Sequence, residues 1–285
     1  MIWVIANKAE EDGSFPTYKY YKQAYDEGMI DIYLATPQDR FGFIERDDIV
    51  IVRTRDQRIC ENLREAKMAR GFASTVESWK TDWYTHDKEA IKVIMANEGV
   101  HYPKTIQLSD VNWQSKPCFV KPRYGENSIG VDSKSVCYTA AQVKRQCMAL
   151  LKQGIEPMVE EYLNGIEVTT AVFSHPTECK LRMYSAIMRP ITDGSYHTAE
   201  TKRDFAFVPE KYNSMWLDES VRAVYYGVGA KHLLRIDSRI VNGKPYIIDV
   251  NMIPGLAPNG YMSKCMEVNG VDYHTFIRMM VNTAW

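Results

Sequence analysis

Residues 233–251 read LLRIDSRIVNGKPYIIDVN, two apolar runs joined at Asn242-Gly243. Asn-Gly between such runs is the strongest short-range signal for a β-hairpin, because both residues tolerate the positive φ of tight hairpin turns. Alternation puts Arg235 and Asp237 on one face of the first strand, and Asp249 and Asn251 on one face of the second. Whether the two faces coincide depends on the turn, since a slip of one residue reverses every side chain. A two-residue turn pairs Val241 with Lys244 and leaves Asp237 and Asp249 on opposite faces. A three-residue loop Val241-Asn242-Gly243, with Gly243 left-handed as a bulge, pairs Ile240 with Lys244 and gathers all four side chains on one face. This second register is the expectation. Two acids and an amide oxygen so gathered make a hard-oxygen site suited to magnesium and close enough to touch phosphate. On an exposed edge hairpin the same residues would simply be solvated. DVNMIPG, however, follows a strongly apolar strand, where polar groups need partners.

Two further motifs lie upstream. FVKPRYGENSIGV at 119–131 delivers Lys121 from a strand into a loop containing Gly125, Ser128 and Gly130. Small residues there let backbone amides approach phosphate oxygens, with Lys121 as a nearby point charge. The stretch is not a P-loop, and glycine-rich strand turns are common, so alone it fits a plain turn equally well. PMVEEYLNGIEVTTAVF at 157–173 ends a strand at Glu160-Glu161-Tyr162-Leu163, turns at Asn164-Gly165 and restarts with Glu167. A strand end can offer its backbone to an adenine edge and a carboxylate to ribose hydroxyls. Read alone, it is also an ordinary surface hairpin.

Around these motifs the chain changes character. IWVIA at 2–6, DIYLA at 31–35 and DIVIV at 48–52 read as buried strands, with helices around 17–28 and 59–70. That alternation predicts a small parallel α/β lobe over 1–85. Residues 78–110 read as mainly helical, with Asp87 capping a helix that runs to Asn97 and closes at Glu98-Gly99. From 117 to 192 strands dominate around one helix at 139–153. Residues 193–211 lack either period and read as a long loop, which in a compact domain is usually functional. A helix at 214–232 precedes the hairpin, and a short helical tail follows it.

Together the three motifs resemble the ATP-grasp superfamily, most closely the D-alanine–D-alanine ligases, over roughly 86–281. The resemblance implies an ATP-grasp fold of mixed α/β and α+β class. In it the small N-terminal parallel α/β lobe (1–85) precedes an ATP-grasp domain (86–285) of two α+β lobes, about 112–165 and 166–285, with ATP between them. Carried over residue by residue, Lys88 and Lys121 hold the ATP phosphates, Glu160, Glu161 and Leu163 flank the adenine, and Glu167 meets the ribose. Asp237, Asp249 and Asn251 bind two magnesium ions. Arg235, backbone amides near Gly255 and the loop residue Ser128 serve the reacting centre, and Lys202 reaches the γ-phosphate or substrate. The implied chemistry is transfer of the γ-phosphoryl group to a carboxylate, attack of an amine on the acyl phosphate and release of phosphate. A lid formed by 193–211 and the 122–130 loop excludes water.

Departures from the D-alanine ligases fall on the substrate side. The family's early serine-glutamate motif has no clear counterpart in NKAEEDGSFP, its serine pair is Asn127-Ser128 here, and its late serine is replaced in LAPNGY by Gly260. Asp249 stands where glutamate is more usual. DIVIVRTRD at 48–56 and ESWKTDWYTHDKEAIKVIMANEGVHYPKT at 77–105 look instead like ATP-grasp enzymes that add amino acids to peptides or carrier proteins. Arg53 and Arg55 are then candidates for a substrate carboxylate, through bidentate geometry, or are surface arginines after a strand. The expectation is an ADP-forming ligase acting on an amino acid or short peptide. D-alanine–D-alanine ligation proper, a non-ligating ATP-binding sensor and a phosphotransferase of the same fold are the alternatives.

Composition narrows the remaining classes. Thirty-five basic and 36 acidic residues among 285 give a net charge of −1, so no whole-molecule field draws the chain to nucleic acid or an anionic membrane. No apolar run approaches the roughly 20 residues that span a bilayer. MIWVIANKAEEDG reads as a buried first strand rather than a secretory leader, which points to the cytoplasm. The six cysteines are scattered without C-x-x-C, and the six histidines form no H-E-x-x-H, so reduced buried thiols and structural histidines are expected. A homodimer is the default assembly.

Overall fold

A computed structural model describes residues 1–7, 21, 29–107, 116–125, 130–174, 180–190 and 207–285. The helix expected over 17–28, apart from Tyr21, and the loop positions Asn127, Ser128 and Lys202 lie outside the described residues.

The first lobe carries β1 (Ile2–Asn7), β2 (Ile30–Ala35), β3 (Ile49–Val52) and β4 (Ala73–Ser74) in the parallel order β2-β1-β3-β4. β1 and β3, the inner strands, are almost wholly apolar and buried, as strands covered on both faces must be, while the edge strand β2 is half-buried. Helix α1 (Gln57–Arg70) crosses from β3 to β4; Asp56 caps it by accepting from the Ile59 amide, and Gly71 ends it at φ 80°. Helices α2 (Trp79–His86) and α3 (Ala90–Asn97) follow. Asp87 does cap: its Oδ1 accepts from the amides of Glu89 and Ala90.

The second lobe is a three-stranded antiparallel sheet, β6-β5-β7, from β5 (Cys118–Pro122), β6 (Val136–Cys137) and β7 (Pro157–Glu161). Its one helix, α4 (Ala140–Leu151), starts on a Thr139/Gln142 capping box and covers a small core of Val120, Val143, Leu150 and Val159.

The third lobe holds five antiparallel strands in the order β10-β9-β8-β11-β12: β8 (Ile166–Ser174), β9 (Leu181–Pro190), β10 (Phe207–Lys211), β11 (Leu234–Val241) and β12 (Lys244–Asn251). Helix α5 (Met215–Gly227) packs on one face; α6 (Tyr261–Val268) and α7 (Tyr273–Asn282) close the other side. Two expectations are corrected here. Residues 207–211, read as loop, form the edge strand β10, because Phe207 buries against Tyr261 and the segment pairs with β9. The helix expected to reach 232 stops at Gly227, with Gly229 at φ 76° and Tyr225 Oη bonded to the His232 carbonyl at 2.6 Å.

Cores cross the lobe boundaries. Ile2, Val4, Ile30 and Ile51 of the first sheet share one cluster with Ala171 and Phe173 of the third and with Phe276, Ile277 and Met280 of α7. Helix α3 joins the third lobe instead, through Ile91, Ile94 and Met95 against Leu217, Val221 and Val224 of α5. Cys60, Cys118, Cys137, Cys147 and Cys265 are free and buried. Among the described residues no helix is long and apolar enough to cross a membrane.

Candidate functional site

The hairpin gathers its four polar side chains on one face, but by a different route from the one expected. The turn is the two-residue Asn242-Gly243 form, with φ of 50° and 78°, and Val241 pairs with Lys244. That register alone would set Asp237 and Asp249 apart. A bulge corrects it: Ser238 pairs with Ile247, Asp237 with Asp249 and Arg235 with Asn251, leaving Ile248 without a counterpart. The core-facing residues of β12 shift phase accordingly, from Pro245 and Ile247 before the bulge to Val250 after it. The expected three-residue loop is therefore wrong, while the shared face stands on the bulge.

On that face Asp237 is clamped. Its carboxylate accepts from Arg235 Nε at 3.1–3.2 Å and from Thr169 Oγ1 at 2.9 Å, with Arg235 Nη2 at an ion-pair distance of 3.0 Å. Asn251 is buried; its Oδ1 accepts from the Ile253 amide, and its Nδ2 makes no hydrogen bond among the described residues. Asp249 is the more accessible carboxylate, its side chain 25% exposed. Gly255 lies open in the turn beyond Pro254, and Gly260 sits at the N-terminus of α6, where a Cβ would come within 3.1 Å of the Ala257 carbonyl.

Two lysines approach this face from the opposite side of a cleft. Lys121 leaves β5 and donates to the carbonyl of the bulged Ile248 at 3.2 Å. Lys88, just before α3, lies 3.8 Å from Asp249 and bonds the Gly125 carbonyl. The extra residue in β12 thus supplies the contact that draws the second lobe to the hairpin.

Glu160, expected beside the adenine, is buried and paired with lysines. Its side chain, 3% exposed, bridges Lys121 at 2.7 Å and Lys92 at 2.8 Å. Lys92 also bonds Thr105 Oγ1. β5 pairs Phe119 with Glu160, and Thr105 bridges the other side, which turns the carboxylate inward toward the lysines. Glu161 is likewise engaged, its amide on the Lys104 carbonyl and its Oε1 on the Lys104 amide. Leu163 and Glu167 are tied together by Arg239, whose Nη1 donates to the Leu163 carbonyl and Nη2 to Glu167 Oε2, both at 3.1 Å. The guanidinium lies 5.8 Å from the Tyr162 ring centroid.

The two arginines of the first lobe separate. Arg55 pairs with Asp82 at 3.2 Å and fastens α2 to β3. Arg53 is buried and donates through Nη2 to the Pro254 carbonyl at 2.6 Å. It is therefore not a surface arginine.

Sequence reasoning passed over Lys92 and Arg239, although both carried a signal. Lys92 follows Lys88 by four residues, one helical turn, and Arg239 continues the alternation of Arg235 and Asp237.

The family model described as the D-ala D-ala ligase C-terminus matches residues 89–282. The chain belongs to the D-alanine–D-alanine ligase family. The D-alanine–D-alanine ligase of Bacillus anthracis is 23% identical over 206 residues, which are 70% of this chain and 66% of that protein. That of Mycolicibacterium smegmatis is 28% identical over 222 residues, 70% of this chain and 58% of that one. The chain thus spans about two thirds or less of the length of these relatives. Among solved structures, the Bacillus anthracis D-alanine–D-alanine ligase complexed with ATP superposes with a TM-score of 0.72 at 20% identity, covering 99% of this chain and 96% of that one. The VanG D-Ala:D-Ser ligase of Enterococcus faecalis gives 0.68 at 15%, covering 100% and 99%. The ligase family's ATP-grasp fold is thereby shared along the described chain, first lobe included.

Proposed function

We propose that this chain is an ATP-dependent carboxylate–amine ligase that forms an amide through an acyl phosphate, acting on an amino acid or short peptide. The observation that carries the reading is the cleft itself, where Lys88 and Lys121 face Arg235, Asp237, Asp249 and Asn251 across the two lobes.

The lysines would neutralise phosphate charge, with Lys121 moving from Glu160 and the Ile248 carbonyl toward the incoming oxygens. Lys92 stays behind to hold the Glu160 carboxylate. Arg239 orients Glu167 toward the ribose and fixes Leu163 beside the base. Asp237, Asp249 and Asn251 fit magnesium by donor chemistry: two carboxylates directly opposite on one ladder and an amide oxygen next to them. When bound there, the ion would supply charge neutralisation for phosphoryl transfer. Arg235, fixed by two bonds to Asp237, is preorganised to stabilise the oxyanion formed on amine attack, and the open backbone at Gly255 offers amides to the same centre. The buried Asn251 Nδ2 is a further donor awaiting an acceptor. Lys202 and Ser128 are assigned here by resemblance alone.

The test is release of ADP and phosphate with pooled amino acids and short peptides, with mass spectrometry of the products. An amide with one phosphate per ADP is expected; ATP binding without turnover on any pool would overturn the ligase in favour of a sensor. Asp249→Ala should abolish turnover and spare the fold. Unchanged activity in that variant removes the metal assignment.

A further inference from the structure

Among the described residues Arg53 is a buried cation without a counter-charge. It follows the last residue of β3, at the carboxyl edge of a parallel sheet, which is where open α/β sheets place ligands. It is 4% exposed, and its Nε is buried without a hydrogen bond among the described residues. Its one side-chain bond there is to the Pro254 carbonyl. Arg55, two residues on, has Asp82; Arg53 forms no ion pair among the described residues. Removing a guanidinium from water costs several kcal/mol unless an anion meets it, and a single carbonyl dipole does not offset that.

The described surroundings do not supply the missing charge. A narrow crevice between the first and third lobes is lined by Arg53, Arg64, Glu77, His232, Met252 and Ile253 among others. Glu77, the one acid in this lining, already accepts from the amides of Lys231 and His232. A second buried polar group is also without a bond: the hydroxyl of Tyr21, a fully buried residue. Burial raises its pKa and the Arg53 charge opposes the rise, so the phenol lies within the field of the guanidinium. Tyr21 packs in one buried cluster with Ile51 and Leu256, which lie two residues from Arg53 and from Pro254 along the chain.

We propose that Arg53 binds a second negative charge on the substrate, so that the acid activated in the cleft carries another carboxylate. The inference rests on the ligase reading above and narrows its substrate class to diacids, acidic amino acids or peptides with a free second carboxylate. Arg53 is then a specificity residue, holding the end of the acid that does not react.

Turnover of the full chain with ATP and magnesium decides it. Glutarate and both enantiomers of glutamate and aspartate are compared with glutaramate, glutamine and asparagine, using one amino-acid pool as amine. The diacids should be favoured in kcat/KM by about tenfold or more, the size of one charge-assisted hydrogen bond. Arg53→Gln should raise KM for the diacids and erase the preference, with KM for ATP as internal reference, and Arg53→Lys should recover part of it. Equal use of diacids and amides by the unaltered protein overturns the inference and leaves the ligase standing. So does an Arg53→Gln effect confined to kcat and equal for both classes, which would mark a tie to the Pro254 turn. ADP release with none of the acids counts against both readings.

Discussion

Glu160 is one carboxylate shared by two buried ammonium groups, and its removal would leave Lys92 and Lys121 facing each other in a largely buried site. Breaking a buried ionic cluster at one member costs about 3–5 kcal/mol, far more than the pair contributes against an apolar replacement. Glu160→Gln should therefore lower stability by about that much in urea denaturation. Glu161→Gln, which sits half-buried on a backbone amide, should change it little. Both glutamates were visible in EEYL, but their different roles were not, because only the β5–β7 register tells which one points at the lysines. Arg239 was recoverable from alternation. Arg53 was visible as a residue and ambiguous in role, since burial is a property of the packed lobes and not of VRTRD.

Element boundaries followed sequence where caps and alternation are local. Thr139, Ser214 and Asp272 each accept from an amide of the first turn of their helices, and the first three strands lie where the apolar runs put them. The hairpin register was legible only in part. The turn chemistry of Asn242-Gly243 favours two residues, while a shared face demands an odd offset, and the conflict was resolved inside the strand. Its trace in the sequence is the doubled Ile247-Ile248, where period-two alternation breaks. At the start of α3, burial acts to raise the Asp87 carboxyl, but bonds from Arg123 and the amides of Glu89 and Ala90 outweigh it and hold the pKa below the ordinary 3.8. The stability this provides is complete above the unfolded value and is lost as pH falls through the lower folded value. Asp87→Asn should accordingly lower stability at neutral pH and flatten the acid limb below about pH 4, measured as urea midpoints across that range.

At the scale of the molecule, the first and third lobes meet at His232. Its Nδ1 lies 2.6 Å from the Thr283 carbonyl and so carries the proton there, and its amide donates to Glu77. Burial holds its pKa below 6.5 despite the opposing pull of Glu77 and Thr283. The unfolded chain therefore takes up a proton near pH 6.5 that the folded chain refuses, and stability falls on acidification from that point. His232→Asn, whose amide nitrogen can replace Nδ1, should remove this slope while Asp87 still governs the lower one; melting temperatures from pH 7.5 to 5 check it. The lobe sequence was readable from strand patterns, but the core common to two lobes was not, since no local period records which distant helix fills a sheet. Helix α7 does so for the first sheet, with Phe276 and Ile277 against Ile51. Those segments lie about two hundred residues apart, which at ~5–20 residues per second of synthesis is a delay of about 10–40 s. For that interval the share of this core that α7 supplies does not yet exist, so the first lobe is expected to reach its full stability only when the last helix has been made.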